Sequence, residues 1–543
     1  MCGLMEVHGR DEARPRRLGL DVASVTSGVL AAQAVLAGLV ARSRGHPVTA
    51  VETSVLEAGL VVTSHYVAAA TSKQPGEWSP ADGGPDPGPP FRSVDGRRLE
   101  LETLDPEAWR RFWVALGAGD ADLGRAWTAF RARYFRGRCS LPTGLHAATA
   151  RHTLDDLAAA AAACRVSLTP VRPPDEVLCE AGALAGHPVL EDSAGTSSDR
   201  PEVGWRSSVG RPLEGVEVVE ATSRMQGPLA GLLLEMLGAH VVRIEPPGGD
   251  PIRLVPPSAG HYGAFFTCFN RGKDSVELDL GAPAGRASAL ELAAGADVFL
   301  HNWRSGKAAA WGLDPEALWE RNPGLIYVHG SGWGNAVPSG RPLGTDFLVQ
   351  AYAGMGYTLN PQDESPAPSR VLLTDCLGAM VTCEGALAGL LRREQTGRGC
   401  RVDGSLLAGG MTLQAPVLEA LAATREPAAG GGRPHWGPLD RPLATADGFI
   451  AVDAAENAHF GRLCRVCGIE ANQASKARLE TTIAASIRDA PTTQWETALC
   501  EEGIPCAAVC TDLASLPHDP RLAPLFDPLP EGCWAPAAPW RVA

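Results

Sequence analysis

GVEVVEATSRMQGPLAGLLLEMLGAHVVRIEPPGGDP, residues 215–251, reads as a strand, a loop, a helix and a second strand. Pro228 suits the first turn of that helix, where its missing N–H would lack a partner anyway, and Gly238 suits the stop. ADVFLHNW (296–303) and GLIYVHGSGWG (324–334) repeat the pattern of a short apolar strand entering a polar or glycine-rich loop. Strands alternating with helices predict an α/β fold with an open parallel Rossmann-like sheet, helices on both faces, and ligands at the carboxyl ends of the strands. Glu245 sits where a dinucleotide site would grip a ribose, but the stretch lacks GxGxxG and GSGWG lacks the third glycine. After Gly410, the glycine-rich AATREPAAGGGRPHWGP leads into a smaller mixed α/β domain.

Two distant segments share one pattern. Leu18–Gly59 and Leu372–Gly410 each place an aspartate before a small-residue helix, then an arginine-bearing end, a glycine, a valine-containing strand and a serine opening another helix. Asp21 to Gly45 and Asp375 to Gly399 span the same interval. The likeness continues downstream, where PPFRSVDGRRLELETLDPEAWRRFWVALG parallels RPLATADGFIAVDAAENAHFGRLCRVCG. About 150 residues precede the second copy with no counterpart before the first. The expected organisation is a truncated repeat at 1–190 and a linker at 191–211, rich in small and polar residues. A large sheet domain at 212–425, a small α/β domain at 430–520 and a tail at 521–543 follow, the tail packing back on the large domain.

The chain has 543 residues, enough for two or more cores. Its net charge of −14 argues against nucleic acid or an anionic membrane as partner. The first residues show no charged start followed by an apolar stretch and cleavage site, so a cytoplasmic protein is expected. The uncharged run Val22–Ala41 is diluted by serine, threonine, glycine and glutamine, which favours a buried soluble helix over a membrane span. The 14 cysteines are scattered and suit reduced thiols. Cys464 and Cys467 form a lone CxxC that also reads as the inner face of an amphipathic helix, and packing is the favoured reading.

From about Arg211 to Pro520 the chain resembles the class III CoA-transferases, the group of formyl-CoA and carnitine-related CoA-transferases and 2-methylacyl-CoA racemases. The resemblance rests on residues 211–253 together with FNRGKDSVELDL, ADVFLHNWRSGKAAAWGL, NPGLIYVHGSGWG, GTDFLVQAYAGMGY, LLTDCLGAM and RREQTGRGCRVDGSLL, in the family's order. Residues 1–190 resemble the second half of the same fold. The resemblance implies a sheet domain plus a small domain in an interlocked homodimer, part of which a tandem fusion would replace here. It also implies acyl-CoA and carboxylic acid substrates, coenzyme A as acyl carrier, and no metal.

By the same resemblance Asp375 is the nucleophile; its bland alternative is a helix N-cap. A carboxylate can attack a thioester, forming a mixed anhydride and then an aspartyl-CoA thioester. Gly430, Gly431 and Gly432 match a mobile active-site loop. Met225 and Gln226, the basic loop Asn270, Arg271, Gly272 and Lys273, and the stretch Asn302, Trp303 and Arg304 match CoA-contacting positions. Their alternatives are helix-cap packing, a solvated turn and a tryptophan closing the sheet end. Pro246 and Ala310 stand where some transferases carry CoA-binding arginines. Thr345 stands where racemases place a histidine before the aspartate equivalent to Asp346, which counts against racemisation. Asp346 would orient a loop or cap a helix, and Asp21, the counterpart of Asp375, would be a cap or a vestige. Racemase chemistry and a CoA-binding pseudoenzyme are the rival readings.

Overall fold

The computed structural model describes residues 1–72, 87–179, 189–192, 211–334, 343–424, 433–454, 456–470, 475–529 and 532–543. Two long helices, α1 (Val22–Ser43) and α2 (Val55–Ala70), precede a small domain. That domain is a three-stranded antiparallel sheet, with Arg98–Glu102 between Phe91–Arg92 and Ser167–Pro170, covered by helices from 106–164. Its core is separate and aromatic, with Phe91, Trp109, Phe112, Trp113 and Phe130 buried together.

A seven-stranded sheet forms the large domain. Its strands are β1 (Val189–Asp192), β2 (Glu217–Ala221), β3 (His240–Glu245), β4 (Asp274–Glu277), β5 (Val298–His301), β6 (Ile326–Ser331) and β7 (Cys400–Ser405). They lie in the order β4-β3-β2-β5-β6-β7-β1. All neighbours are parallel except β1, which runs antiparallel to β7 with Leu190 opposite Val402. The predicted parallel sheet is therefore present, with one correction at its edge. Glu191 and Asp192, expected to begin a linker, complete this edge strand, while 193–210 fall outside the described residues. The interior of β5, VFLH, is buried along its whole length, as a strand covered on both faces requires.

The strand order reverses between β2 and β5. Such a switch point splays the connecting loops apart and opens a crevice at the carboxyl ends of the two strands. Helix α3 (Gln226–Met236) leaves β2 there, and α4 (Asp346–Tyr352), α5 (Leu373–Thr396) and α6 (Leu406–Thr424) follow β6 and flank β7. A second small domain repeats the order of the first: strands Leu443–Ala444, Phe449–Val452 and Cys506–Ala508 are covered by the helices Asn457–Val466, Lys476–Ser486 and Thr492–Glu501. Cys464 is buried in its core and Cys467 packs against it, as the amphipathic pattern predicts.

The N-terminal helices and the large domain share one core. Leu30, Ala34 and Ala37 of α1 belong to the same buried cluster as Leu377, Met380 and Leu387 of α5, and Gln33 donates from Nε2 to the Met380 carbonyl (2.7 Å). By length and composition α1, α5 and 406–423 could each cross a bilayer, but here they pack together around the sheet. The tail does more than return to the large domain. Pro536 accepts from Arg271 (2.7 Å), yet Arg541–Val542 pairs with Val51–Glu52, and the Trp540 indole donates to the Leu30 carbonyl (2.9 Å). Trp540→Ala is expected to cost about 3–5 kcal/mol in denaturant unfolding, with α1 and the large domain melting in one transition. Separate transitions for the two would contradict a shared core.

Candidate active site

The site is built where α4 meets the start of α5. An α-helix leaves its first backbone N–H groups unpaired, and a buried helix start must find acceptors elsewhere. Asp346, fully buried, supplies them. Its Oδ2 accepts from the Asp375 backbone N–H (2.8 Å) and the Thr374 hydroxyl (2.7 Å), while Oδ1 accepts from Gln350 Nε2 (2.5 Å). The sequence reading of Asp346 as an orienting or capping residue holds.

Asp375 lies inside the first turn of α5, past the N-cap position, which Leu372 occupies. Its side chain does not cap the helix. Among the described residues no donor reaches its carboxylate, which is half-enclosed and partly open to the surface. Burial, the Asp346 carboxylate and Glu102 push its pKa well above the usual carboxylate range, and Arg224 opposes them. Burial likewise raises Asp346, to about 6, against the pull of its three donors. Two carboxyl groups this close resist sharing two negative charges. The donors sit on Asp346, so Asp375 is the partner whose charge is disfavoured.

Glu102 comes from the N-terminal small domain. It is buried, paired with Arg133 (2.8 Å) and bonded to the Tyr134 hydroxyl, and it accepts from Thr345 (3.5 Å) beside Asp346. Tyr134 packs on Phe347 with ring centroids 5.0 Å apart. Arg370 ties the same face by pairing with Asp11 (3.3 Å) and Glu100 (3.6 Å) and donating to the Pro89 carbonyl. The N-terminal unit thus forms one wall of the site.

The predicted CoA-contacting residues divide into two sets. Met225 and Gln226 stand at the switch point where β2 enters α3; both are buried, and Gln226 Nε2 donates to the Ser331 carbonyl at the end of β6 (3.2 Å). Asn302 clamps the neighbouring turn from β5, accepting from Ser223 N (3.0 Å) and donating to Ser223 O (2.7 Å). The clamp precedes Arg224, whose φ of 68° is a left-handed conformation that non-glycine residues rarely adopt. Trp303 closes the sheet end, edge-on to Trp311 (5.0 Å) and tilted on His301 (4.7 Å). Arg304 is exposed beyond it.

The Asn270–Lys273 loop departs from its prediction. Lys273 is buried, with Nζ on Glu220 (2.8 Å), the Pro228 carbonyl (2.7 Å) and Asn270 (3.3 Å). Asn270 also donates to the Phe266 carbonyl (3.0 Å), Arg271 holds the tail, and Gly272 takes φ 75° against the Glu235 carboxylate. These groups brace the fold: an ammonium engaged with a buried carboxylate is not free for a phosphate. Gly430, Gly431 and Gly432 lie outside the described residues. Asp21 is exposed and caps α1, accepting from Ser24 N (3.4 Å), as its bland reading expects. Arg224 and Glu102 were missed. A left-handed arginine has no sequence signature, and Glu102 reads as one alternating position of LELE.

The profile of CoA-transferase family III matches residues 1–203 and 213–523. The chain belongs to that family. Succinyl-CoA:glutarate CoA-transferase from Homo sapiens is 31% identical over 259 residues, 47% of this chain and 59% of that protein. Acetyl-CoA:oxalate CoA-transferase from Acetobacter aceti is 31% identical over 332 residues, 58% of this chain and 84% of that one. The chain therefore spans little more than half the length of the human family member. A crystal structure of a CAIB/BAIF family protein from Brucella suis superposes with a TM-score of 0.55 at 26% identity, over 61% of this chain and 93% of that one. The mixed α/β architecture is that of the family.

Two outcomes follow from the geometry. Lys273→Met removes the nearer of the two cations on buried Glu220, leaving Arg243 (3.5 Å) and the Thr222 hydroxyl (2.6 Å), and is expected to cost about 1–3 kcal/mol in urea unfolding; unchanged stability would contradict a bracing role. If Asp375 must be ionised to react, activity rises with pH through its elevated pKa. Asp346→Asn removes the like charge, so the acid limb of the pH profile should move to lower pH, and an unmoved limb would contradict the coupling.

Proposed function

We propose that the chain is an enzyme that transfers CoA from an acyl-CoA to a carboxylic acid, with Asp375 as nucleophile. The observation that carries this reading is the Asp375 carboxylate, partly open and without a donor among the described residues, on the helix start that Asp346 fixes. A carboxylate surrounded by donors is a weak nucleophile, and one whose anion is raised in energy by burial and a like charge gains reactivity once ionised.

In the proposed cycle an Asp375 oxygen attacks the acyl-CoA carbonyl, breaking the C–S bond and releasing CoA thiolate. The resulting mixed anhydride is attacked by that thiolate at the aspartyl carbonyl, giving aspartyl-CoA thioester and the free donor acid. An acceptor carboxylate then attacks the thioester, expelling thiolate and forming a second anhydride. Thiolate attack at the acceptor carbonyl completes the new acyl-CoA and restores Asp375. No proton or electron is gained or lost. The developing negative charge is placed near Arg224, which already counters the anion of Asp375.

Coenzyme A is thus a substrate, entering at the switch point past Met225, Gln226, Asn302, Trp303 and Arg304. Acceptors are carboxylic acids, dicarboxylates by analogy with the relatives named for glutarate and oxalate. The N-terminal unit is read as a truncated copy of the fold whose small domain takes the wall position a second subunit fills in an interlocked dimer, with Asp21 a vestige. A soluble cytoplasmic enzyme fits the packing of its apolar helices.

Incubation with acyl-CoA is expected to leave an adduct on the Asp375 peptide that hydroxylamine converts to a hydroxamate, read by mass spectrometry. Asp375→Ala should lose both adduct and transfer. Unmodified Asp375 with transfer retained in the variant would overturn the proposal.

A further inference from the structure

A cavity of about 530 Å³ opens between the two units beside the candidate site. Glu102, Thr103, Asp105, Arg165 and Leu168 line it from the N-terminal small domain, and Arg304 and Leu343 from the large domain. Glu102 joins it to the Asp375 region through the Thr345 bond. The acids on its wall are already engaged: Glu102 by Arg133 and Tyr134, Asp105 by the Glu107 backbone N–H (2.9 Å) as a helix cap. The two arginines are not. Both are exposed, and among the described residues neither guanidinium has a hydrogen bond or an ion pair. Nearby Arg133, Arg370 and Arg172 all have carboxylate partners.

Arg165 also holds an uncommon backbone state. It follows the helix Leu154–Cys164 at φ 61°, the left-handed position where glycine is the ordinary choice. An arginine there is held against its conformational preference. Its charge is favourable at a helix carboxyl end, which alone would explain a cation but not one lining a cavity that holds a second unpaired cation.

We infer that Arg165 and Arg304 together form a clamp for an oxyanion of the substrates, Arg165 being contributed by the N-terminal unit. The inference rests on the CoA-transfer reading and gives the unit a binding role beyond forming a wall. Two sources share the chemistry: a phosphate of CoA, or the distal carboxylate of a dicarboxylate acceptor of the kind the relatives are named for. Guanidinium forks recognise either group.

The test is calorimetric titration of the full chain carrying Asp375→Asn, with and without Arg165→Gly, using CoA, 3′-dephospho-CoA and glutarate. Glycine keeps the backbone unstrained at this φ, and thermal melting confirms the fold. Loss of one charge-assisted contact should weaken one ligand by roughly tenfold or more, Arg304→Ala should weaken the same ligand, and Arg165→Lys should recover part of the loss. A loss for CoA but not 3′-dephospho-CoA assigns the 3′-phosphate, an equal loss for both assigns the diphosphate, and a loss for glutarate alone assigns the carboxylate. Affinities within about twofold in a folded Arg165→Gly protein overturn the clamp, as does failure of the parent protein to bind any of the three. Binding is read without turnover, so a clamp that holds while Asp375 stays unmodified would sink the transfer reading alone.

Discussion

One carboxylate holds the site together. Asp346 has no access to water, and its charge is tolerated because α5 offers it an unpaired backbone N–H and a hydroxyl, and Gln350 of its own helix α4 an amide. In return it fixes where the first turn of α5 starts, and so where Asp375 points. The same bond leaves the two aspartates too close for both to ionise freely, and the chain has assigned the donors to one and the exposure to the other. One contact therefore serves two ends: the group that orders the helix also adds to the burial that raises the energy of its neighbour's anion.

The surroundings make that contact possible. The sheet reverses its strand order between β2 and β5, and the loops leaving those strands are tied by the two Asn302–Ser223 bonds into a rim facing the start of α5. Opposite, the N-terminal small domain presses Glu102, Tyr134 and Arg133 against Thr345 and Phe347. The tail then straps α1 and α2 to the body of the large domain through Trp540, Trp534 and Arg271. Each half supplies something the other lacks: the large domain has the sheet and Asp375, and the N-terminal unit has the wall beside them.

Much of this was legible in the residues. Strand–loop–helix–strand at 215–251 pointed to the parallel sheet, and the two segments that share an interval from aspartate to glycine form long helices, α1 and α5, that pack side by side. The position of Asp375 followed from its surrounding motifs. What could not be read was three-dimensional pairing. Lys273 appears in FNRGK as a surface cation, and only the fold reveals that Glu220, 53 residues earlier, takes it inside. The edge strand at 189–192 is too short and too polar to announce itself, since its pairing with Arg401 and Asp403 is backbone chemistry common to every residue. Glu102 lies 273 positions before Asp375, a separation over which no local pattern reports contact.

The most direct measurement follows oxygen atoms. In a cycle through two mixed anhydrides, the aspartyl side chain gives one oxygen to the departing acid and takes one from the incoming acid. With a heavy-oxygen-labelled acceptor and unlabelled donor, turnover should place label in the side chain of Asp375, read on its peptide, and remove it again when the acceptor is replaced by unlabelled acid. Transfer that proceeds while the Asp375 peptide stays unlabelled would contradict the account.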